Sequence, residues 1–379
     1  QKHTFYGLIL LLQGLLIGFF TAQDLMCFTF FFEAILIPIY LLISNWGGEQ
    51  REKASFKFII YMIAGSCLMI AGALSLYFMA STFDIPTLSQ TAEKAPYAYA
   101  LAAIFLLAFA VKTPCFPFHA WLPDTYCQAP MPATILLSAI LSKAGIYGIM
   151  RVSIGLFPHI MVEWSPILQS VAIAGVLYGA FAAWAQTDYK RLIAYSSFSH
   201  VNFVLAGLFV WNELAQAGAL LQAVNHAITI TGLFLVAGWL EVRLGTTHYA
   251  KAAGLAYYMP KLCWLTLFFV LSAVALPGLN NFISEVMVLY GVFQHNYWLS
   301  ATLGLTVIFS VLYMLRWIHT IYFNEPTRYH ISYKDIMTKE LLIATPLIAL
   351  ILWLGIYPGP TLSQVMPAAQ KLTTLMSQK

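Results

Sequence analysis

The sequence predicts an all-α polytopic membrane protein, with one membrane domain over residues 1–379. Of the 379 residues, 60% are hydrophobic and only 9% are charged. An average soluble domain has about 25% charged residues, so this chain cannot cover a water-facing surface. The apolar runs are also about as long as a bilayer-spanning helix, which needs ~20 residues. Composition and run length therefore both place most of the chain inside a bilayer.

About eleven transmembrane helices are predicted on this basis. Their connections are short, and no extramembrane domain fits between them. In chain order the predicted spans are 5–22, 24–44, 56–80, 97–113 with a continuation past its break, 131–152, 165–186, 191–211, 214–242, 260–294 with a break, 297–323 and 340–357. The first apolar run begins close to Gln1, and the chain lacks an initial methionine. We therefore expect helices that precede Gln1 to be missing.

Two of the predicted spans are interrupted, the fourth at Thr113–Pro117 and the ninth at Leu276–Asn281. Proline removes a backbone donor and clashes with the preceding turn. Freed backbone groups at membrane depth are tolerated only where protein or a water-filled cavity satisfies them. The breaks lie five spans apart, and an odd number reverses the orientation of the next unit. The spacing predicts two inverted five-helix units (1–152 and 165–323), a final helix (340–357) and an ion path at the broken helices.

Lysine and arginine are distributed unequally between the two sides, which predicts the orientation. Eleven of these residues lie on one side: Arg51, Lys53, Lys57, Lys190, Arg191, Arg243, Lys251, Lys261, Arg328, Lys334 and Lys339. Four lie on the other side: Lys94, Arg151, Lys371 and Lys379. The first side is predicted to be cytoplasmic. Arg316, late in its span, is close enough to that side to reach the cytoplasmic face.

Several function classes are excluded by composition and by missing motifs. A net charge of +4 is too small to indicate a nucleic-acid partner. The five cysteines have neither metal-ligand nor disulfide spacing. No nucleotide loop, flavin or NAD fingerprint, haem motif or iron–sulfur cysteine set is present. We therefore expect no cofactor, no metal site and no redox chemistry in this chain.

The ionisable residues inside the spans are the candidate functional residues, because a charge at the bilayer centre costs about 2.5–3.5 kcal/mol. Glu33 is near the middle of the second span. Lys112 directly precedes the first break, and a desolvated lysine releases its proton readily. We interpret Glu33 and Lys112 as a gate. When the two side chains are paired, both groups stay charged. When the pair separates, Lys112 can release its proton. The alternatives are a neutral, hydrogen-bonded Glu33 and a Lys112 that reaches towards the interface.

Lys143 is predicted to be the central proton carrier, because it lies mid-span, too far from either end to reach water. Gly145 and Gly148 leave room beside it for water or another helix. Glu285 follows the second break, where a half-helix start would stabilise a carboxylate, and is interpreted as a terminal proton acceptor. His119, His200 and His226 are interpreted as relays. The alternative for each histidine is a structural residue with satisfied hydrogen bonds.

Several sequence motifs, in order, resemble one family. They are FEAILIPIYLLISNWGG, FKFIIYMIAGS, FAVKTPCFPFHAWLPD followed by QAP, LSKAGIYGIMR, QTDYKRLIAYSSFSH and ALPGLNNFISE. Together they resemble the antiporter-like membrane subunits of proton-pumping NADH:quinone oxidoreductase (respiratory complex I), most of all the chain M type. The resemblance covers nearly the whole chain.

The resemblance implies fourteen spans, of which this chain would lack the first three. It also implies that Glu33, Lys112, Lys143, His226 and Glu285 carry protons along a hydrated axis at mid-membrane. Quinone reduction in other subunits would drive this transport, so no direct NADH or quinone site is expected here. The implied partners are the bilayer, protons and other membrane subunits of the complex. The implied location is the cell inner (plasma) membrane, with multiple passes.

Some residues depart from the family pattern, notably Thr125–Gln128 after the WLPD run and Asn202 after SHV. The segment MPATILLSAILSKAGIY is also similar to subunits of Mrp-type cation/proton antiporters. The alternative functions are therefore a subunit of a multi-subunit cation/proton antiporter or of a membrane-bound hydrogenase. A third hypothesis is a membrane scaffold that transports nothing. The ionisable mid-span residues argue against it, because a scaffold gains nothing from them.

Overall fold

The computed structural model describes residues 2–249, 253–325 and 334–377, which are almost entirely helical. Within these ranges no β-strand forms, and the only extended pairing is two isolated β-bridges. The predicted all-α fold class is confirmed. Gln1 and three of the loop cations counted above, Lys251, Arg328 and Lys379, lie outside the described residues.

The chain divides into two compact units. The first comprises Gln1–Leu168 and Lys371–Lys379. Its helices are α1 (Lys2–Thr21), α2 (Leu25–Ala34), α3 (Leu36–Trp46), α4 (Arg51–Ala80), α5 (Ile85–Thr91), α6 (Ala98–Lys112), α7 (Leu122–Gln128), α8 (Met131–Leu136) and α9 (Ser142–Gly148). Two π-helical segments, Leu137–Leu141 and Ile149–Ile154, flank α9.

The second unit comprises Gln169–Gln370. Helix α10 (Pro158–Trp184) runs from the first unit into the second, and α18 (Gly359–Ser377) runs back into the first. The helices between them are α11 (Tyr189–Leu208), α12 (Glu213–Leu244), α13 (Leu255–Tyr258), α14 (Pro260–Ala273), α15 (Asn280–His295), α16 (Tyr297–Ile318) and α17 (Thr338–Ile356). The predicted units 1–152 and 165–323 stay a prediction, since the compact units divide inside α10.

Within the described residues, eight helical segments are long and apolar enough to cross a bilayer. Three of them join neighbouring elements: Leu25–Trp46, Met131–Ile154 and Tyr297–Phe323. The broken spans contribute shorter apolar helices, α6 and α14. Helix α11 has 20 residues, but its serines, His200 and Asn202 make it too polar to qualify by composition. Nearly all of its side chains are nevertheless buried. The exact number of eleven spans therefore stays a prediction.

The two isolated bridges recur at one sequence offset. Asp24 pairs with Asp84 and Asp188 with His248, each 164 residues later than its counterpart. In the first bridge Leu25 N donates to Phe83 O and Ile85 N to Gln23 O. In the second, Tyr189 N donates to Thr247 O and Tyr249 N to Thr187 O. Asp24 is also the N-cap of α2, and Asp188 is the N-cap of α11.

Three local features differ from the predicted spans. The predicted span 24–44 corresponds to one candidate span, Leu25–Trp46, but its helix is interrupted at Ile35, where Pro38 has no N–H for the Ala34 carbonyl. Helix α4 begins at Arg51 instead of residue 56, which places Lys57 inside the helix. The amphipathic helix α18 was not predicted, since its polar face lowers the hydropathy below that of a span.

Candidate proton-transfer site

The first break is satisfied by protein groups. Helix α6 ends at Lys112, and the Val111 carbonyl accepts a hydrogen bond of 3.0 Å from the buried Trp121 indole. Cys115 N donates to Ala110 O at 2.8 Å, and the Thr113 hydroxyl donates to Phe109 O at 2.7 Å. Because these carbonyls are hydrogen-bonded, the interrupted helix is stable within the protein interior.

Lys112 is 2% exposed and points into the first unit. Its Nζ donates to the Phe32 carbonyl oxygen at 2.5 Å and lies 3.3 Å from the centroid of the Phe32 ring. A carbonyl dipole and an aromatic face both stabilise an ammonium group. The Phe32 carbonyl is therefore the docking point of the lysine, and Lys112 does not reach towards the interface.

Glu33 follows Phe32 at the end of α2, next to the interruption at Ile35. Its Oε1 is buried and has no hydrogen-bond partner among the described residues. Lys112 acts on the carboxyl group electrostatically. Glu33 and Lys112 are thus brought together. They are neighbours without a direct ion pair, since the ammonium group is bound one residue earlier.

Lys143 lies on α9, the short α-helical turn between the two π-helical segments. Its Nζ donates to the Ser138 carbonyl at 2.7 Å, and the Ser142 hydroxyl donates to the same oxygen at 2.9 Å. A π-helical turn widens the helix and is frequent at functional sites. The wide turn exposes a carbonyl that holds the lysine side chain along its own helix.

Helix α9 packs directly against the first break. A Cβ at Gly145 would lie 2.8 Å from Thr113 N, and one at Gly148 would lie 2.3 Å from the Phe109 ring. The space beside Lys143 that the two glycines were expected to leave is filled by α6 and its break. Lys143 is thereby held on the helix that adjoins the C-terminal end of α6, where Lys112 lies.

His119 and Lys57 lie at the other end of the first break. His119 is 8% exposed and stacks on Phe116, with ring centroids 5.8 Å apart. Lys57 Nζ lies 2.7 Å from Asp124 Oδ2, an ion pair that joins α4 to α7. Each side chain of the pair is about one-third exposed, so its contribution to stability is small. The pair instead fixes α7, the continuation of the broken span.

The second break is surrounded by amide and hydroxyl side chains. Asn225 Nδ2 donates to the Asn280 carbonyl at 2.6 Å, and Asn281 Nδ2 donates to the Ser272 carbonyl at 3.0 Å. The Thr229 and Ser272 hydroxyls lie 2.8 Å apart. The carbonyls freed between α14 and α15 are thus satisfied from α12 and from the break itself.

Glu285 is 5% exposed and is the sixth residue of α15. This lies beyond the first turn, where the helix dipole acts most strongly, so the expected dipole stabilisation is not the main interaction. Gln222 Nε2 donates to Glu285 Oε1 at 3.2 Å, and His200 Nε2 lies 3.5 Å from the same oxygen. The Ser284 hydroxyl donates to Gln222 Oε1 and so orients its amide.

The geometry around His200 implies one shared proton. His200 Nδ1 lies 2.9 Å from the Ser196 carbonyl. A carbonyl only accepts, so Nδ1 carries a hydrogen. The contact between Nε2 and Glu285 Oε1 is then favourable only when one proton lies on either group. The pair can therefore hold a proton or pass it on.

His226 is the third predicted residue brought to this position. It is 4% exposed, and its ring stacks on His200 with centroids 5.3 Å apart. A cavity of about 10 Å³, lined by His200, Glu285 and Ser199 among others, adjoins the pair. That volume is about the size of one water molecule. His200, His226 and Glu285 thus form one cluster in the second unit.

Sequence reasoning missed the uncharged members of this cluster, Gln222, Asn225, Thr229 and Ser284. A signal was present, because Gln222, Asn225, His226 and Thr229 follow the i, i+3, i+4, i+7 spacing of one helix face. A polar stripe inside a long apolar helix indicates a protein-facing or water-facing surface. Charge alone does not identify these amide and hydroxyl side chains.

The sequence matches one protein family. The family described as "NADH:quinone oxidoreductase/Mrp antiporter, TM" matches residues 22–352. NADH-quinone oxidoreductase subunit M of Mycobacterium tuberculosis is 36% identical over 99% of this chain and 70% of its own length. The Escherichia coli K12 protein of the same name is 37% identical over 92% of this chain and 71% of its own.

Solved structures show the same fold. A chain of respiratory complex I from Thermus thermophilus has a TM-score of 0.93 at 34% identity, over 98% of this chain and 80% of its own. A chain of the Mrp complex from a Dietzia species has a TM-score of 0.90 at 21% identity, over 98% of this chain and 79% of its own. The second likeness shows the fold alone.

Proposed function

The chain belongs to the NADH:quinone oxidoreductase/Mrp antiporter membrane family, and we propose that it is a proton-translocating, chain M-type subunit of an NADH:quinone oxidoreductase. The chain is a polytopic membrane protein, and its relatives work within multi-subunit membrane complexes. The observation that carries the proposal is the placement of three groups at two broken helices: a buried Lys112, a half-buried Lys143 and a buried histidine–glutamate pair. Each lysine is held by a carbonyl that accepts its hydrogen bond.

In the first unit, we assign the gating step to Lys112. Its ammonium group has two acceptors one residue apart, the Phe32 carbonyl where it lies now and the Glu33 carboxylate. When Nζ moves to Glu33, the opposite charges stabilise each other and the proton stays on the lysine. When Nζ returns to Phe32, the buried ammonium loses its counter-charge and releases the proton more readily. Lys143 is the proposed next carrier.

In the second unit, the proposed acceptor is the His200–Glu285 pair, with His226 stacked beside it. A proton that arrives on His200 Nε2 is stabilised by the Glu285 carboxylate at 3.5 Å. Transfer to Glu285 Oε1 leaves a neutral histidine and a neutral acid, which needs no counter-charge. Gln222 holds Oε1 in place in both states. His119, held beside Phe116, is assigned a relay role in the first unit.

We assign no redox step to this chain and place NADH oxidation and quinone reduction in other subunits. The five cysteines are dispersed over separate elements: Cys27, Cys67, Cys115, Cys127 and Cys263. The antiporter alternative gains no specific support, because the likeness to the Mrp chain is at 21% identity. The identities of 36–37% with subunit M favour the quinone oxidoreductase.

The proposal is tested with Lys143→Ala and Glu33→Gln in the native complex, reconstituted into vesicles. The readout is vesicle acidification per NADH oxidised. Both variants are expected to assemble and to lose at least about tenfold in pumping rate, equivalent to ~1.4 kcal/mol. Lys53→Ala and Glu52→Gln, exposed residues of the α4 first turn, are the matched controls. Wild-type pumping by both test variants would refute the assignment.

Purification of the native assembly separates the two host complexes. Flavin and iron–sulfur subunits that co-purify with this chain support the quinone oxidoreductase. Their absence, together with proton exchange driven by a cation gradient, would establish the antiporter instead.

A further inference from the structure

A surface cavity in the second unit, distant in sequence from the predicted proton carriers, has the chemistry of an anion site. Its volume is about 390 Å³, and its lining includes Thr187, Tyr249, Arg316, Thr320 and Asn324. One guanidinium, three hydroxyls and one amide can all donate hydrogen bonds. Among the described residues that line the cavity, none is acidic.

Arg316 supplies the charge. It lies near the end of α16, exposed, with Nη1 donating to the Trp184 carbonyl at 2.8 Å and its guanidinium 5.7 Å from the Trp184 ring. This contact uses one of five N–H donors. Within the described residues no carboxylate pairs with Arg316. Its positive charge is thus held in place by Trp184 without being neutralised.

Tyr249 provides an independent observation. Its side chain is only 7% exposed, yet its hydroxyl has no hydrogen-bond partner in the described part of the chain. Burial raises the pKa of this phenol well above its usual range, so the hydroxyl remains a neutral donor. A buried hydroxyl without a partner costs about 1–3 kcal/mol. The exposed position of the Arg316 guanidinium follows from the tendency of a long charged side chain to reach water. That tendency does not explain why the buried Tyr249 hydroxyl has no partner among the described residues.

The nearby carboxylate of Asp188 is already engaged. Its Oδ1 accepts from Arg191 N at 2.9 Å, and its Oδ2 accepts from the Thr247 hydroxyl. Asp188 therefore acts on Tyr249 only electrostatically. The cavity retains an unneutralised cation and an unpaired donor, which together favour an anion with several acceptor oxygens, such as a phosphate group.

Apolar side chains continue from this cavity along the surface. On α16, Ile308, Leu312 and Leu315 are 58%, 44% and 43% exposed and share the face that ends at Arg316. On α10, Phe181 is 53% exposed and Trp184 40%. This stripe fits acyl chains, and Trp is typical of the membrane interface. Basic pockets between transmembrane helices on the cytoplasmic side bind lipid head groups, and Arg316 is predicted to face that side.

We propose that this cavity, defined by Thr187, Tyr249, Arg316, Thr320 and Asn324, binds the phosphate of an anionic phospholipid. The guanidinium and the Tyr249 hydroxyl contact the phosphate oxygens, and the acyl chains lie along the α10 and α16 stripe. The site is separate from the proposed proton path, so it stands whether or not that proposal holds.

The test is native mass spectrometry of the detergent-solubilised complex, offered phosphatidylglycerol or phosphatidylcholine. Wild type is expected to retain at least one more phosphatidylglycerol per complex than Arg316→Gln, while phosphatidylcholine binding is the same in both. Arg51→Gln is the matched control, because that exposed arginine lines a cavity with Glu49 and Glu52. Equal phosphatidylglycerol retention by wild type and Arg316→Gln overturns the proposal.

Arg316→Gln also removes the hydrogen bond to the Trp184 carbonyl, so two more conservative variants separate lipid binding from this structural effect. Arg316→Lys preserves the positive charge, and the complex is expected to retain part of the phosphatidylglycerol that the wild type binds. Tyr249→Phe removes only one hydroxyl and is expected to weaken phosphatidylglycerol binding about tenfold. An unchanged affinity in Tyr249→Phe contradicts the site. Inorganic phosphate in large excess is expected to leave the lipid bound, and displacement by phosphate would overturn the lipid assignment.

Discussion

The carboxyl group of Glu285 is oriented by side chains from two other helices. Gln222 on α12 donates to Oε1, and His200 on α11 faces the same oxygen. The side-chain carbonyl oxygen of Gln222 accepts a hydrogen bond from the Ser284 hydroxyl, which prevents the amide group from flipping. Because the donor is fixed, Oε1 is the oxygen that the proposed transfer would use, since it is the one that faces His200.

Replacing Gln222 by leucine is therefore expected to disturb the proton pair while preserving the packing volume. Pumping per NADH oxidised should fall by about tenfold, as expected for loss of a hydrogen bond to a charged group. The pH profile of pumping should also be displaced, which a purely structural defect would not cause. Vesicle acidification across a pH series measures both effects.

Gln216→Leu is the matched control. Gln216 is a buried glutamine of the same helix, and its amide donates to the Leu208 carbonyl instead of to Glu285. An identical shift of the pH profile in both variants would mean that Gln222 does not act through Glu285.

At the scale of single residues, the sequence predicts the charged residues inside the membrane but not their hydrogen-bond partners. Lys112, Lys143 and Glu285 were identified because an ionisable group inside a bilayer is costly. That Lys112 would bind the Phe32 carbonyl depends on how α2 packs near the end of α6. A contact between residues 80 positions apart depends on packing, and no local pattern encodes it.

At the scale of elements, the two broken helices use different side chains to hydrogen-bond the carbonyls near the break. The first uses an indole and a hydroxyl, Trp121 and Thr113, on carbonyls of its own span. The second uses amides, Asn225 and Asn281. In both solutions, protein side chains hydrogen-bond to carbonyls at the break. The titratable side chains come both from the broken spans, as with Lys112 and Glu285, and from neighbouring helices, as with Lys143 and His200.

The contact between α9 and the first break is close enough to test by adding one methyl group. Gly145→Ala would place Cβ 2.8 Å from Thr113 N and close to its side chain. One of the two elements must shift, at a cost of about 1–3 kcal/mol. We expect a lower thermal midpoint of the complex and weaker pumping. Differential scanning fluorimetry and vesicle acidification check the two effects.

Gly14→Ala on α1 serves as the comparison, because no atom lies within 4 Å of its Cβ position. That substitution should be neutral or slightly stabilising, since alanine is the better helix former. If Gly145→Ala matched it in both assays, the close packing of α9 on the break would be wrong.

The positions of the helices followed from hydropathy, and both breaks followed from proline. The π-helical segments around Lys143 did not, because LSAIL and IMRVSI are ordinary helical sequences. The first of these segments receives a hydrogen bond from another element, since the Tyr126 hydroxyl of α7 donates to the Leu137 carbonyl. A residue pattern cannot show a bond that another segment completes.

At the scale of the whole molecule, the same helix cap occurs once in each unit. Asp24 and Asp188 each accept from backbone N–H groups at a helix start and each form a bridge to a later segment. The common offset of 164 residues supports the proposed five-helix repeat. The break positions suggested this repeat, although the two halves share little visible identity.

The repeat predicts parallel effects of Asp24→Ala and Asp188→Ala. Loss of an N-cap costs about 1 kcal/mol, so the amides of the first turn should exchange with solvent about fivefold faster. Hydrogen exchange at Met26 and Cys27 reports on the first cap, and exchange at Arg191 reports on the second. Asp188→Ala should also loosen the segment that contains Thr247, because its Oδ2 accepts from that hydroxyl.

Thr247→Val separates the two roles of Asp188, since it removes the hydroxyl and leaves the cap. It should accelerate exchange around Tyr249, whose N–H completes the bridge, without changing Arg191. Asp24→Asn should restore most of the first cap, because asparagine is an equally good N-cap. Exchange that rises in one unit and not in the other would show that the two caps are unrelated, and the repeat would then rest on the breaks alone.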